Sequence, residues 1–424
     1  MNEDAPELVN EDNVTDAECK TVDPRTFVDT GVAIDTLKAD ASQLTEQVKP
    51  GRRRWKRRRT NWMLVTLFLS LFVAYVFYVL VLPQIEVSVF RSFYPQKKIL
   101  PPELEMKWAH RILLRSCEFA LVAWFFYFGA SIGSFLNVVA WRVPAGRTIV
   151  FGGSKCPFCD THLGFIDNTP ILGWLCLQGK CRTCRLPIAT RYLWIEVAVG
   201  AAFTWLALWQ LVRGGANLPH WTSQARVGLI NIVLDPHWPM IGIYLIHAIL
   251  FAMLIMLATA NMSNKPFPVF PIVLIGFGLA SSKIIDPSLD LVSWQKPFSK
   301  LGLTGYGPFA NPAMSVVVGG LAGGLLGWIS AFAYARKLGA AVGRHWALQC
   351  FLIAVVLGWQ SGVIIVMLSL IAYSVVRTLV LSIRPRRSDE IQANQSLMLN
   401  ICFILSAVAH HSFWIQIAHL LGLS

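Results

Sequence analysis

Charged side chains are scarce in this 424-residue sequence: Asp, Glu, Lys and Arg together make up 14% of it, against 55% hydrophobic residues and a mean hydropathy of +0.52. One water-soluble core cannot bury that much apolar surface, which excludes an ordinary soluble globular chain and leaves a bilayer as the solvent. Ten-residue stretches of alternating polarity are lacking as well, which excludes an outer-membrane barrel. No extended basic domain or nucleic-acid motif accompanies the net charge of +13, so nucleic acid is not expected as a partner. Carboxylates are rarest of all over the second half, where Glu196 and Asp389 have only Asp235, Asp286 and Asp290 between them.

What the sequence does have is apolar runs of the roughly 20 residues that a helix needs to cross about 30 Å of hydrocarbon. The expected fold is an all-α polytopic membrane protein of about nine transmembrane helices. Residues 1–50 carry 12 acidic and 4 basic residues and no periodicity, which reads as a disordered cytoplasmic tail. The cluster RRRWKRRR at 52–59 stands directly before the apolar run 62–82 and acts as an orientation signal that holds the N-terminus inside, against anionic lipid. From that anchor the further spans thread as 116–141, 193–212, 239–261, 267–284, 312–334, 347–361, 363–382 and 397–421. Arg142, Arg147, Lys155, Arg182, Arg185, Arg191, Lys265, Arg336, Lys337, Arg344 and the RPRR run at 384–387 then all fall on the cytoplasmic side. The run 347–361 is short, and a tilted or re-entrant path is open to it. Prolines and the GGLAGGLLG run at 319–327 suit closely packed, kinked helices.

Between the second and third spans lie two CxxC pairs, Cys156/Cys159 and Cys181/Cys184, separated by 21 residues. Four thiolates so placed close tetrahedrally around Zn²⁺, and a polar, basic loop in a reducing compartment favours metal over disulfides. With no open coordination position the zinc is structural, stiffening a loop too poor in apolar surface to fold unaided; iron is an alternative occupant. Cys19, Cys117, Cys176, Cys350 and Cys402 are scattered and need no role beyond small apolar side chains.

The stretch from Gly133 to Glu196 resembles the N-terminal region of the type IV prepilin peptidases, membrane enzymes that cleave prepilin leader peptides and methylate the new N-terminus. GSFLNVVAWRVP at 133–144, DNTPILGWLCLQGKCRTC at 167–184 and RYLWIE at 191–196 carry the resemblance in order and spacing. It implies prepilin-like substrates or pilus and secretion assembly proteins as partners, the cytoplasmic membrane as location, and S-adenosylmethionine as a methyl donor. Asn137, Arg142, Arg191 and Glu196 match the family's motif positions. For Asn137 a bond across helices is an equal alternative to a functional role, and for Glu196 a helix-terminal position or a pairing with Arg191 or Arg142.

On this reading the chain divides into 1–60, acidic tail and basic anchor; 61–115, an extra transmembrane helix and extracytoplasmic loop; 116–196, the peptidase-like N-terminal region; 197–385, a peptidase-like bundle; and 386–424, a C-terminal helix. The family's chemistry rests on two cytoplasmic-face aspartates, one ionised as base toward water and one protonated on the scissile carbonyl. Their expected places here, LATANMSNKPFP at 257–268 and Gly343-Arg344-His345-Trp346, contain no acid. No catalytic residue is therefore assigned, and the expectation is a relative whose peptidase activity is lost, with a non-enzymatic assembly or prepilin-docking protein as the alternative. His345 and Asn261 lie near the expected positions; His-based activation of water is the functional alternative there, but a lone helix-end histidine more often caps or contacts headgroups. Asp286 and Asp290 read as a solvated outer loop. His410 and His411 stand within the last span, where ionisable groups are costly and hence suspect, although buried neutral imidazoles account for them too.

Overall fold

The computed structural model describes residues 61–93, 106–149, 153–156, 158–219, 229–260, 266–291, 310–383 and 395–420. The acidic tail, the 52–59 cluster, Asn261, Lys265 and the RPRR run lie outside the described residues. Secondary structure among the described residues is helical, with two isolated β-bridges. The long helices are α1 (Trp62–Phe93), α2 (Trp108–Arg142), α4 (Arg191–Val212), α6 (Trp238–Ala260), α7 (Val269–Ile285), α8 (Ala310–Leu338), α9 (Ala340–Leu357), α10 (Trp359–Ile383) and α11 (Gln395–Ser412). Shorter ones are α3 (Leu172–Cys176), α5 (Leu229–Leu234) and α12 (Trp414–Leu420).

Among the described residues seven helices are long and apolar enough to cross a membrane, and eight if α11 and α12, bent by 76° at Phe413, count as one span. α7 is apolar but has only 17 residues. Each of the nine expected spans overlaps a helix, the last of them broken into α11 and α12, and the ends differ most at α1, α2 and α9. α1 runs on to Phe93 and α2 already begins at Trp108. Pro83 cannot donate to the helix ladder, and the turn before it, Phe77–Val81, widens to a π-helix rather than breaking. Polar contacts then hold the extension to α2: Tyr78 donates to Glu118 at 2.7 Å and Arg115 to Glu86 at 2.6 Å.

The centre is formed by α6 and α9, whose span windows are each 72% buried, whereas α1 is 6% buried and shows Phe68, Phe72 and Val73 outward, as a lipid-facing helix must. Against α9 packs the glycine seam of α8. A Cβ at Gly319 would stand 2.3 Å from the Ala354 carbonyl oxygen, so only glycine lets these two backbones meet. The region expected as a span at 347–361 is a helix that ends at Leu357; Gly358, at φ +96°, turns the chain sharply into α10, a conformation that side chains resist.

Candidate metal module and the family-motif cluster

Each cysteine pair is built on the same turn. Cys156 N–H bonds to the Thr161 carbonyl at 3.0 Å and Cys181 N–H to that of Leu186 at 2.9 Å, with bridges Lys155–His162 and Lys180–Pro187 flanking them. Asp160 N–H returns to the Cys156 carbonyl and Arg185 N–H to that of Cys181, and these two residues take left-handed φ values of 48° and 61°. The knuckles face each other: Sγ of Cys156 and Cys184 are 3.8 Å apart, those of Cys159 and Cys181 3.9 Å, and all four sulfurs lie within 4.8 Å of one another. A tetrahedron with metal–sulfur bonds of about 2.3 Å has edges of about 3.8 Å, so the four sulfurs fit a tetrahedral metal ion. No disulfide joins the described cysteines. Burial pushes the Cys156 and Cys184 thiols up. At Cys159 burial acts the same way but is outweighed by hydrogen bonds from Thr161 and the neighbouring thiols, which bring it down to about 7.

The loop between the knuckles is tied down at both ends. Arg182 Nε approaches both carboxylate oxygens of Asp167 at 3.0 Å, an ion pair that raises the guanidinium pKa, and Asn61 at the head of α1 donates to the Leu175 carbonyl at 2.6 Å. The four family-motif residues gather where this loop meets α2 and α4. Asn137 donates to the Tyr192 carbonyl at 3.3 Å, bonding across helices. Arg142 reaches the carbonyls of Thr148 and Gly153 at 3.4 and 3.2 Å, and Arg191 lies 4.7 Å over the Trp141 ring. Glu196, 8% exposed, takes the Ile171 N–H at 2.7 Å on Oε2. Its carboxylate is thus engaged by the loop backbone, where the sequence left open a pairing with Arg191 or Arg142.

Ile171 itself sits at φ 61°, which for a β-branched residue is a genuine backbone outlier of the kind that collects at functional sites. No sequence signal announces it. Near the positions where the resemblance implies aspartates, Ala258 on α6 and Trp346 on α9 are 8% and 1% exposed, and His345 Nε2 accepts the Phe267 N–H at 2.8 Å. His345 therefore acts as a tether for the segment entering α7. Trp346 donates to Ser330 Oγ at 2.8 Å and packs its ring against Phe403. Asp290 corrects the expectation of a solvated loop: its side chain is 8% exposed, 3.7 Å from Lys283 Nζ, and accepts from Ser315 Oγ at 3.1 Å. The α7 lysine, buried in an apolar setting, draws the carboxylate inward.

The class defined by this architecture is a polytopic helical membrane protein with a double-knuckle, four-cysteine module on a loop between helices. Residues 127–210 match the family model of the bacterial peptidase A24 N-terminal domain. Among curated proteins the chain is 45% identical over 78 residues to a prepilin leader peptidase/N-methyltransferase of Myxococcus xanthus, 18% of this chain and 23% of that one. It is 42% identical over 84 residues to one of Klebsiella pneumoniae, 18% of this chain and 37% of that one. With a type 4 prepilin-like proteins leader peptide-processing enzyme of Escherichia coli it shares 35% over 128 residues, 26% of this chain and 48% of that one. The chain thus spans less than half the length of these relatives. No solved structure matches it. The resemblance read at residues 133–196 is borne out.

Proposed function

We propose that the chain is a cytoplasmic-membrane relative of the prepilin peptidases that has kept the family's metal module and motif cluster and lost its aspartic peptidase chemistry, serving instead to dock prepilin-like helices or to hold a pilus or secretion subunit. The observation that carries the reading is one of contrast. The double knuckle and the Asn137, Arg142, Arg191 and Glu196 cluster are fully assembled, while the meeting point of α6 and α9 offers Ala258, His345 and Trp346 where two carboxylates are needed. Without an ionised carboxylate to take a proton from water, and a protonated one to polarise the carbonyl, the family's hydrolytic step has no agents.

In this proposal Cys156, Cys159, Cys181 and Cys184 hold a structural Zn²⁺, which brings stiffness and no open position for a substrate. The acidic N-terminus faces the cytoplasm, and the division at 60, 115, 196 and 385 separates tail, extra helix, motif region, bundle and last helix. The relatives' names include N-methyltransferase; S-adenosylmethionine enters the proposal through that resemblance alone.

The test is cleavage of a prepilin-like peptide by the purified full chain in detergent, beside Ala258→Asp and Trp346→Asp variants and a binding measurement. The expected result is retained binding without cleavage by the unaltered protein. Cleavage by the unaltered protein would overturn the proposal.

A further inference from the structure

Away from the cysteine module, a second set of donors converges inside the helix bundle. Gln210 lies in the π-helical end of α4, Ala207–Val212, His247 in the middle of α6, and His411 just before the 76° bend between α11 and α12. Gln210 and His411 are 0% exposed and His247 3%. The Gln210 amide nitrogen stands 2.6 Å from His247 Nδ1 and 2.6 Å from His411 Nε2. An amide NH₂ that donates to both rings requires each to present a lone pair, so the two imidazole lone pairs aim at one point.

Hydrogen bonding leaves this group incompletely satisfied. Gln210 Oε1 and His411 Nδ1 are buried with no partner, as are both ring nitrogens of the adjacent His410. Unpaired polar groups in an apolar interior cost about 1–3 kcal/mol each, and ionisable groups within membrane helices mark function by default. Local backbone irregularity concurs, because π-turns gather at functional sites and broken helices line intramembrane binding sites. A small cavity lined in part by His247, Lys283 and Trp414 adjoins the cluster on the His247 side. The Lys283 ammonium beside that cavity has the Asp290 carboxylate 3.7 Å away, which offsets its charge.

We infer that Gln210, His247 and His411 form a second metal site, for one divalent transition-metal cation of the zinc, copper, nickel or cobalt class. Two neutral imidazoles and an amide oxygen are the borderline N/O donors such ions select, whereas Mg²⁺ and Ca²⁺ require an all-oxygen set. The ring centroids of His247 and His411 are 4.7 Å apart. Two imidazoles bound at about 2.0–2.1 Å in a tetrahedral arrangement stand roughly 5 Å apart, so loading needs only a small shift and a turn of the Gln210 amide to bring its oxygen inward. His410, facing Trp414 at 5.4 Å, is not part of the donor set.

The test loads the chelator-stripped full chain in detergent with Co²⁺ and counts bound metal after equilibrium dialysis. Thiolate-to-cobalt charge-transfer absorption reports the cysteine site alone. The unaltered protein is expected to hold two equivalents, one without that absorption. His247→Gln and His411→Gln should each drop the count to one while the charge-transfer band stays, with an unchanged helical circular-dichroism signal and thermal transition showing that the bundle of the variant is folded. Gln210→Glu, by adding a charged ligand, should tighten the second site tenfold or more. A count of one in the unaltered protein, or an unchanged count of two in both histidine variants, would overturn the inference and leave the cluster a hydrogen-bonded packing element.

Discussion

Glu196 accepts the backbone N–H of Ile171 at 2.7 Å, so a carboxylate in a membrane helix holds a β-branched residue of the cysteine loop at its left-handed φ of 61°. Charge-assisted hydrogen bonds of this kind contribute about 1.5–3 kcal/mol, comparable to the roughly 1–3 kcal/mol cost of the backbone they hold. Glu196→Ala should release the turn. Hydrogen exchange across 171–177 should then rise at least tenfold while exchange in α6 and α9 stays as it was.

The sulfurs of the two knuckles predict a specific order of reactivity. In metal-free protein Cys159, lowered to about 7, should alkylate first, with a midpoint near that pH, and Cys156 and Cys184 last. The sign of the linkage follows from a pKa depressed from 9.0 to about 7: stabilisation by the Cys159 thiolate is complete above pH 9 and lost as pH falls through 7. Iodoacetamide labelling with mass spectrometry over that range reads it directly. Metal loading should abolish the reaction at all four sites, and Cys181→Ser should restore it at the remaining three.

Arg185 occupies a left-handed position that suits glycine better than any side chain with a Cβ. Relief of that strain is of the order of 1 kcal/mol, partly offset by the looser unfolded chain. Arg185→Gly should therefore slow metal release to a chelator a few-fold. Asp160→Gly should gain less, since aspartate tolerates the same conformation more readily.

Within the bundle, Asp290→Asn leaves the Lys283 ammonium, 8% exposed, without its counter-charge. Removing one partner of a buried pair costs about 3–5 kcal/mol, and replacing both by apolar residues is often neutral. Thermal unfolding in detergent should show a marked loss for the single variant and recovery in Lys283→Met with Asp290→Leu.

Gly319→Leu should disrupt the pairing of α8 with α9, because no rotamer avoids the Ala354 backbone that already stands 2.3 Å from a Cβ. Overpacking of a close helix contact costs about 1–3 kcal/mol or more. Folded yield after detergent extraction measures it.

The spans and the cysteine module were legible because each rests on a one-dimensional signal: apolar length for a helix, and fixed spacing for the knuckles. Helix ends were less so. α1 overruns its apolar stretch because Tyr78 and Glu86 find Glu118 and Arg115 on the neighbouring helix, a pairing that no local pattern encodes. Asp290 read as a loop acid for the same reason, its partner Lys283 being legible only as a stray charge at the end of α7. His411 drew suspicion as an ionisable group in an apolar run; His247 carries the same signal and was missed, whereas the neutral Gln210 carries none until three helices bring the residues together. Ile171 had no signal at all, because a β-branched residue argues against the left-handed backbone it adopts.

The two knuckles share one backbone design, down to the left-handed residue that follows each second cysteine. The module is therefore a two-fold object inside an asymmetric chain, and the four sulfurs are indifferent to the length of the connector between its halves. Connector length can drift without disturbing the metal, whereas connector content cannot: Asp167, Ile171 and Leu175 are its moorings to Arg182, Glu196 and Asn61. A chain that kept its four cysteines but lost those moorings would still carry a loaded metal centre, now swinging on a tether beside the membrane instead of standing as part of its surface.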